Sequence, residues 1–280
     1  MRMMAMEYIS EAWRRTLRQN HADSFAALWR LQQNDWFEEP NYRRGGWSGV
    51  CKTVLTLDDA SQAPVFIKRQ ENHVYRSWRH FFRLRPTFER EYRNIQLFNR
   101  YDIPTAGLLF YGQHQQQDRQ QALLMLQALE GYRPLGDAQS LITADMDRAT
   151  RQRLFDSVAA AMRQMHAHRF QHSCPYPKHI FIKQQSDGSF VTRFIDLEKA
   201  RRRWSGKQAA MKDLGILHRH TSGCSRTDRL RFFLAYRQET RLSPESKKML
   251  AVIARPKKSR ASAEVSLHSG RPVNSIREAR

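Results

Sequence analysis

Apolar residues recur along this chain at a period that changes several times, and each change predicts a different element. In residues 1–40, Trp13, Leu17, Ala22, Phe25, Leu28 and Leu31 follow a roughly helical spacing, which predicts a helix or two. The grammar then shifts. Residues 42–57 read as strand, glycine turn and strand, with Arg44-Gly45-Gly46-Trp47-Ser48-Gly49 flanked by alternating Val50, Lys52, Val54 and Thr56. A polar turn leads into the short apolar strand Val65-Phe66-Ile67, which ends on Lys68. In residues 87–100, Phe88, Tyr92, Ile95 and Phe98 line one face of a helix. Two further strands, 107–111 and 122–126, flank a glutamine-rich turn, and Gly131 and Pro134 mark a change of lobe.

The second half opens on a long amphipathic helix over 147–166. A hairpin follows, with apolar runs at 179–182 and 193–195 around Ser186-Asp187-Gly188, and then helices near 212–219 and 227–237. From residue 254 the composition turns to Lys, Arg, Ser and Pro, which bury too little surface to offset ordering entropy, so a flexible basic tail is expected over 254–280. The expected organisation is a helical extension at 1–40, a β-rich lobe at 41–130, a helical lobe at 131–253 and the tail. Glu7, Glu11, Arg14 and Arg15 interrupt any signal-peptide-like stretch, and no run approaches the roughly 18 apolar residues of a membrane span. A cytoplasmic protein, soluble or peripheral to a membrane, is expected.

Composition narrows the chemistry modestly. The formal net charge of +21 draws nucleic acid, anionic lipid and phosphorylated sugar alike, and a solvated basic surface would carry the same charge. Three cysteines, Cys51, Cys174 and Cys224, without CxxC spacing argue against a disulfide framework or a zinc ribbon. The order of polar landmarks is more informative. A glycine turn, a strand ending in Lys68, a helix carrying Glu91, a His-containing loop and a strand ending in Asp196 follow one another. Phosphoryl transfer requires backbone amides over phosphates, a cation on them, an anion fixing that cation and a carboxylate on a metal, and the chain supplies candidates in that sequence.

Across residues 42–236 the chain resembles the lipopolysaccharide kinase family of Kdo and heptose kinases, and within it the InaA-like branch. The resemblance rests on Gly45-Gly46-Trp47-Ser48-Gly49-Val50, Phe66-Ile67-Lys68, Glu89-Arg90-Glu91-Tyr92, the stretch Gln171-His172-Ser173-Cys174-Pro175-Tyr176-Pro177-Lys178-His179-Ile180-Phe181, Phe194-Ile195-Asp196-Leu197-Glu198-Lys199-Ala200-Arg201, and Lys212-Asp213-Leu214. It implies an α+β, two-lobed, protein-kinase-like fold with a small β-rich N-lobe and a helical C-lobe. It also implies ATP and Mg2+, with Gly45, Gly46 and Gly49 letting the backbone cover the nucleotide and Lys68 pairing with phosphates and Glu91. Asp196 would hold the metal, helped by His179. The acceptor would be an anionic glycolipid such as lipopolysaccharide core, met at the inner face of a bacterial inner membrane.

Several positions admit more than one reading. Lys68 would also fit a strand end pointing into water. Glu89 and Glu91 lie on different helix faces, so one of them meets Lys68, and the family match favours Glu91. Asp196 would also serve as a helix cap. Where the family places a proton-accepting aspartate, this chain has Cys174, in His172-Ser173-Cys174; a thiol with an ordinary pKa of about 8.5 is mostly protonated at neutral pH. That leaves a kinase with a weak base, a nucleotide-binding pseudokinase or scaffold, or a Cys/His nucleophile. His166, His168, His172, Cys174 and His179 are zinc-type ligands without zinc-type spacing.

Arg69, Tyr75, Arg76, Trp78, Arg79, Phe81, Phe82, Arg83 and Arg85 suit an anionic membrane surface, single-stranded nucleic acid, or packing on the small lobe. Arg201-Arg202-Arg203-Trp204 lies where an anionic acceptor would approach. No zinc-finger, RRM or helix-turn-helix signature is present, so no specific nucleic acid partner is expected.

Overall fold

The structure is a computed structural model that describes residues 5–31, 36–43, 45–77, 83–136, 142, 146–221 and 223–255. In chain order the first half gives β1 (Ala5–Ile9), α1 (Arg14–Gln19), α2 (Phe25–Arg30), β2 (Trp36–Arg43), β3 (Gly46–Thr56), β4 (Gln62–Glu71), β5 (Val74–Ser77), β6 (Arg83–Pro86), α3 (Thr87–Arg100), β7 (Leu108–Gln116) and β8 (Arg119–Gln127). Six of these strands form an antiparallel sheet in the order β1-β7-β8-β4-β3-β2, and β5 and β6 pair as a separate hairpin.

Strand β4 shows why the sheet divides the lobe. Ala63, Val65, Ile67 and Arg69 are buried, while the alternate Pro64, Phe66 and Lys68 are half-buried on the other face. The buried face packs Val65 and Ile67 with Leu55, Leu109, Phe110, Leu123 and Met125 against Leu17, Phe25 and Leu28 of α1 and α2. On the other face, Tyr111, Leu124 and Leu126 join Phe88, Ile95 and Phe98 of α3 in a core that continues into the second half of the chain.

That half comprises β9 (Arg133–Pro134), α4 (Arg148–Ala167), β10 (Phe170–Gln171), β11 (Ile180–Gln184), β12 (Phe190–Phe194), β13 (Arg201–Arg202), α5 (Gly206–His220), α6 (Arg226–Arg237) and α7 (Pro244–Ile253). Its helices start where side chains take up orphan amides. Asp147 accepts from Ala149 and Thr150 at α4, Ser205 caps α5, and Ser225 with Asp228 closes a capping box on α6. β11 and β12 form the expected hairpin, with Gly188 at φ +77° in its turn. The small β-rich lobe and the helical lobe expected from sequence are both present.

Two expectations change. The first forty residues hold β1 and the start of β2 as well as helices, and these two strands form the edges of the sheet, β1 pairing with β7 and β2 with β3. The cationic aromatic stretch also splits. Arg69 is buried, its guanidinium donating to the carbonyls of Trp29 and Leu31, and Arg85 pairs with Glu89. Trp78, Arg79, Phe81 and Phe82 lie outside the described residues, as does the tail from 256. Among the described residues no helix is long and apolar enough to cross a membrane.

Phe98 joins α3 to the second half of the chain, meeting Phe170 edge-on at 5.3 Å between ring centroids. Phe98→Ala is expected to cost about 3–5 kcal/mol in urea unfolding; a loss below about 1 kcal/mol would show that this core is not shared.

Candidate functional site

Lys68 stands at the point where β4 faces the cleft. Its register partners are Val50 on β3 and Leu124 on β8, so these three share a face. From there Nζ reaches Glu91 Oε1 of α3 at 2.7 Å. The choice between the two glutamates is settled by their partners, since Glu89 pairs instead with Arg85 and Arg93, at 2.5 Å each. Burial works against the Lys68 charge, but Glu91 and Asp196 outweigh it and hold the ammonium above its ordinary range. Burial also lifts the Glu91 carboxyl, with Lys68 pulling it partly back and Asp196 adding to the rise.

Asp196 follows β12 in the left-handed region at φ +59°, heading a 3-10 turn over Leu197–Lys199. It makes no side-chain cap to that turn, and its carboxylate lies 3.4 Å from His179 Nδ1 and remains 38% exposed. The capping alternative therefore does not describe it. Burial lowers the His179 pKa, so the ring is neutral near pH 7. Its Nδ1 lies 3.0 Å from the Cys174 carbonyl, which assigns the proton to Nδ1 and leaves the lone pair on Nε2. That N–H is spent on the Cys174 carbonyl, so the 3.4 Å approach of Nδ1 to Asp196 is an electrostatic contact, and Nε2 carries the lone pair.

The loop His172-Ser173-Cys174 is held from beneath. Asp213 of α5, fully buried, accepts from the backbone amides of His172 at 2.6 Å and Ser173 at 3.0 Å, one on each carboxylate oxygen. The first of these oxygens also lies 3.3 Å from His166 Nε2, whose Nδ1 meets the Tyr236 hydroxyl at 2.9 Å. Ser173 sits at φ +72°, and His172 Nε2 donates to the Ile195 carbonyl beside Asp196. Burial lowers the His172 pKa, leaving it neutral.

Cys174 is 7% exposed, and burial pushes its thiol pKa up, Lys199 countering and Asp196 and Asp213 reinforcing. A protonated, buried thiol is neither a ready base nor a ready nucleophile. His179 donates to the Cys174 carbonyl, as described above, and His172 spends Nε2 on Ile195.

The glycines differ from one another. Gly45 occupies the turn at φ +79°, which favours glycine outright. A Cβ on Gly46 would fall 2.1 Å from the Glu71 carbonyl oxygen, and one on Gly49 would fall 2.5 Å from the Trp36 ring. Gly49 pairs with Arg69 and so lies on the face away from Lys68. Packing already accounts for glycine at both of these positions.

The histidines of the sequence cluster disperse. His166 turns to Asp213 and Tyr236, and His168 packs on Tyr101 at 4.7 Å. Among the described residues, no group of three or more His, Cys, Asp and Glu side chains converges as a metal cage. A Mg2+ shared with phosphates needs one or two protein carboxylates, and the half-open Asp196 carboxylate suits that hard cation. Asp213 carried no assigned role in the sequence. Its signal was a carboxylate among the apolar Ala209, Ala210, Leu214 and Leu217 of one helix, a placement that requires a buried partner.

The profile of the lipopolysaccharide kinase (Kdo/WaaP) family matches residues 26–236. The chain is 31% identical over 202 residues to protein InaA of Escherichia coli (strain K12), covering 71% of this chain and 89% of InaA. The solved structure of WaaP in complex with acyl carrier protein aligns with a TM-score of 0.61 over 90% of this chain and 96% of the other, at 22% identity, a likeness of fold.

Removing the Asp213 carboxylate orphans two buried amides, each worth about 1–3 kcal/mol. Asp213→Ala is expected to lower unfolding free energy by about 2–5 kcal/mol, and Asp213→Asn, which keeps one acceptor, by less. Denaturant titration of the three proteins checks this order.

Proposed function

This chain belongs to the lipopolysaccharide kinase (Kdo/WaaP) family, and we propose that it transfers the γ-phosphoryl group of ATP to a sugar hydroxyl of lipopolysaccharide core or a related lipid-linked glycan. The observation that carries this reading is the Lys68–Glu91 ion pair, 2.7 Å long and within the electrostatic reach of Asp196. Lys68 binds donor phosphates, Glu91 fixes the direction of its ammonium, and the Gly45 turn brings backbone over the nucleotide. Asp196 would hold Mg2+, with the neutral His179 ring beside it, Nδ1 lying 3.4 Å from the carboxylate. A metal ion held there would supply neutralisation of the charge that develops on the transferring group.

The acceptor side is cationic. Lys199, Arg201 and Arg202 are exposed directly after Asp196, and Trp204 is 92% exposed, a combination suited to the acidic groups and the ring faces of an anionic glycan. A net charge of +21 favours the anionic inner face of a membrane, where such an acceptor is met. His172 and Cys174 offer no charged base, yet a loose phosphoryl transition state requires little early proton removal.

The buried Cys174 thiol favours one second reading, a nucleotide-binding pseudokinase. The two readings separate in one experiment with radiolabelled ATP and purified lipopolysaccharide core, run beside calorimetric ATP binding. Under the kinase reading, Lys68→Ala and Asp196→Ala each lower transfer by about 10²–10³-fold with the fold retained. Cys174→Asp retains or raises transfer, a positioned base contributing about 10²–10⁴-fold. Intact nucleotide binding with no transfer by wild type or Cys174→Asp would establish the pseudokinase, and binding unaffected by Lys68→Ala and Asp196→Ala would refute both.

A further inference from the structure

Helix α3 touches the site twice. Glu91 holds Lys68, and one turn later Asn94, nearly buried, donates from its side-chain Nδ2 to the carbonyls of Leu197 at 2.7 Å and Ala200 at 2.9 Å. Those carbonyls lie at the two ends of the turn that Asp196 begins. Both hydrogens of one amide are thus spent on a segment more than one hundred residues away in sequence.

We infer that Asn94 is a positioning residue that sets the Asp196 carboxylate relative to Lys68. Glu91 and Asn94 stand three residues apart on one helix face, which separates them by about 4.5 Å along the axis. The ammonium and the carboxylate are therefore gauged from the same rigid element. Asp196 cannot hold itself, having a left-handed backbone and no side-chain bond to its own turn. Upstream it is fixed by neighbours from other elements: Thr105 Oγ1 donates to the Phe194 carbonyl, the Ile195 amide donates to the His179 carbonyl, and His172 donates to the Ile195 carbonyl. Downstream, the Asn94 amide holds the turn itself, ahead of the β10–β13 pairing at Arg201 and Arg202. With it in place, α3 does not swing without carrying the Asp196 turn along. The ion pair and the metal-binding carboxylate then move as one unit.

The inference rests on the proposed use of Asp196 for a metal, so its test has one arm that needs neither metal nor nucleotide. Two variants of the full chain serve. Asn94→Asp replaces the donors with an acceptor facing two carbonyls, and Asn94→Leu removes hydrogen bonding while keeping the branching of the side chain. In the first arm, hydrogen exchange of the apo protein is expected to quicken about tenfold at residues 197–200 while α4 and α5 keep wild-type protection. In the second arm, ATP affinity in chelator stays within about twofold of wild type, and the gain in affinity on adding Mg2+ falls about tenfold, as when a metal ligand loses its support.

A merely structural role would quicken exchange in no single segment and would weaken binding with and without metal alike. Unchanged exchange at 197–200, or a full Mg2+ gain in both variants, overturns the inference. If wild type binds no nucleotide, the kinase and pseudokinase readings fall, and the exchange result alone decides whether Asn94 holds the turn.

Discussion

The site depends on the burial of one ion pair. Taking Lys68 and Glu91 out of water costs several kcal/mol per charge before their attraction returns any of it, so the pair is a poor source of stability. It persists because the elements that carry it are fixed by other means. β4 is central in the sheet, between β3 and β8, and α3 is anchored through Phe88, Ile95 and Phe98 in the core that spans both lobes. Glu91 is nearly inaccessible while Lys68 keeps a fifth of its side chain open to the cleft. Under the proposed function, a paired cation with a fifth of its side chain open would meet an anion rather than hold the fold together.

The helical lobe solves a related problem with fewer charges. The chain from Tyr236 through His166 to Asp213 ends in two backbone amides of the loop, so the loop is shaped by a carboxylate that never meets solvent. His172 and His179, both kept neutral by burial, then link that loop to Ile195, Asp196 and the Cys174 carbonyl. Neutral rings do not compete with a metal for the Asp196 charge. The negative potential at the cleft is left to Asp196 and Glu91, and Lys68 faces both.

How much of this was legible in the sequence follows from the range over which each feature acts. Alternation exposed β3, apolar runs bounded by turn residues exposed β4 and the β11–β12 hairpin, and helical period exposed α3 and α4, since these patterns are local. β1 was missed because five residues at an edge carry little periodicity and its partner β7 lies about a hundred positions later. The meeting of Lys68 with Glu91 was readable through the family resemblance. Spacing alone left Glu89 open, and Arg85 and Arg93 remove it from contention. Asp213 belonged to a motif of the resemblance but carried no role, and Asn94 gave almost no signal, because each serves backbone groups of distant residues and no residue type marks the recipient. Gly46 and Gly49 invited a nucleotide-covering role from their motif, while their tightest contacts are with Glu71 and Trp36.

Cys174 divides the site into a half that is built and a half that is bare. Ser173 and Asp196 both sit at positive φ, a conformation that costs non-glycine residues energy and persists where surroundings over-determine it. Here the surroundings do so, through Asp213 on one side and through Asn94 and His179 on the other. Under the proposed function, the strained, fully supported half is the one that would face phosphates and a metal. The half that would accept a proton holds a buried thiol. Phosphoryl transfer distributes its demands in the same proportion, since positioning and charge neutralisation supply most of the acceleration and proton removal comes late in a loose transition state. Under the proposed function, the geometry therefore retains the larger part of what the reaction requires, and the thiol would bear on its rate more than on its chemistry.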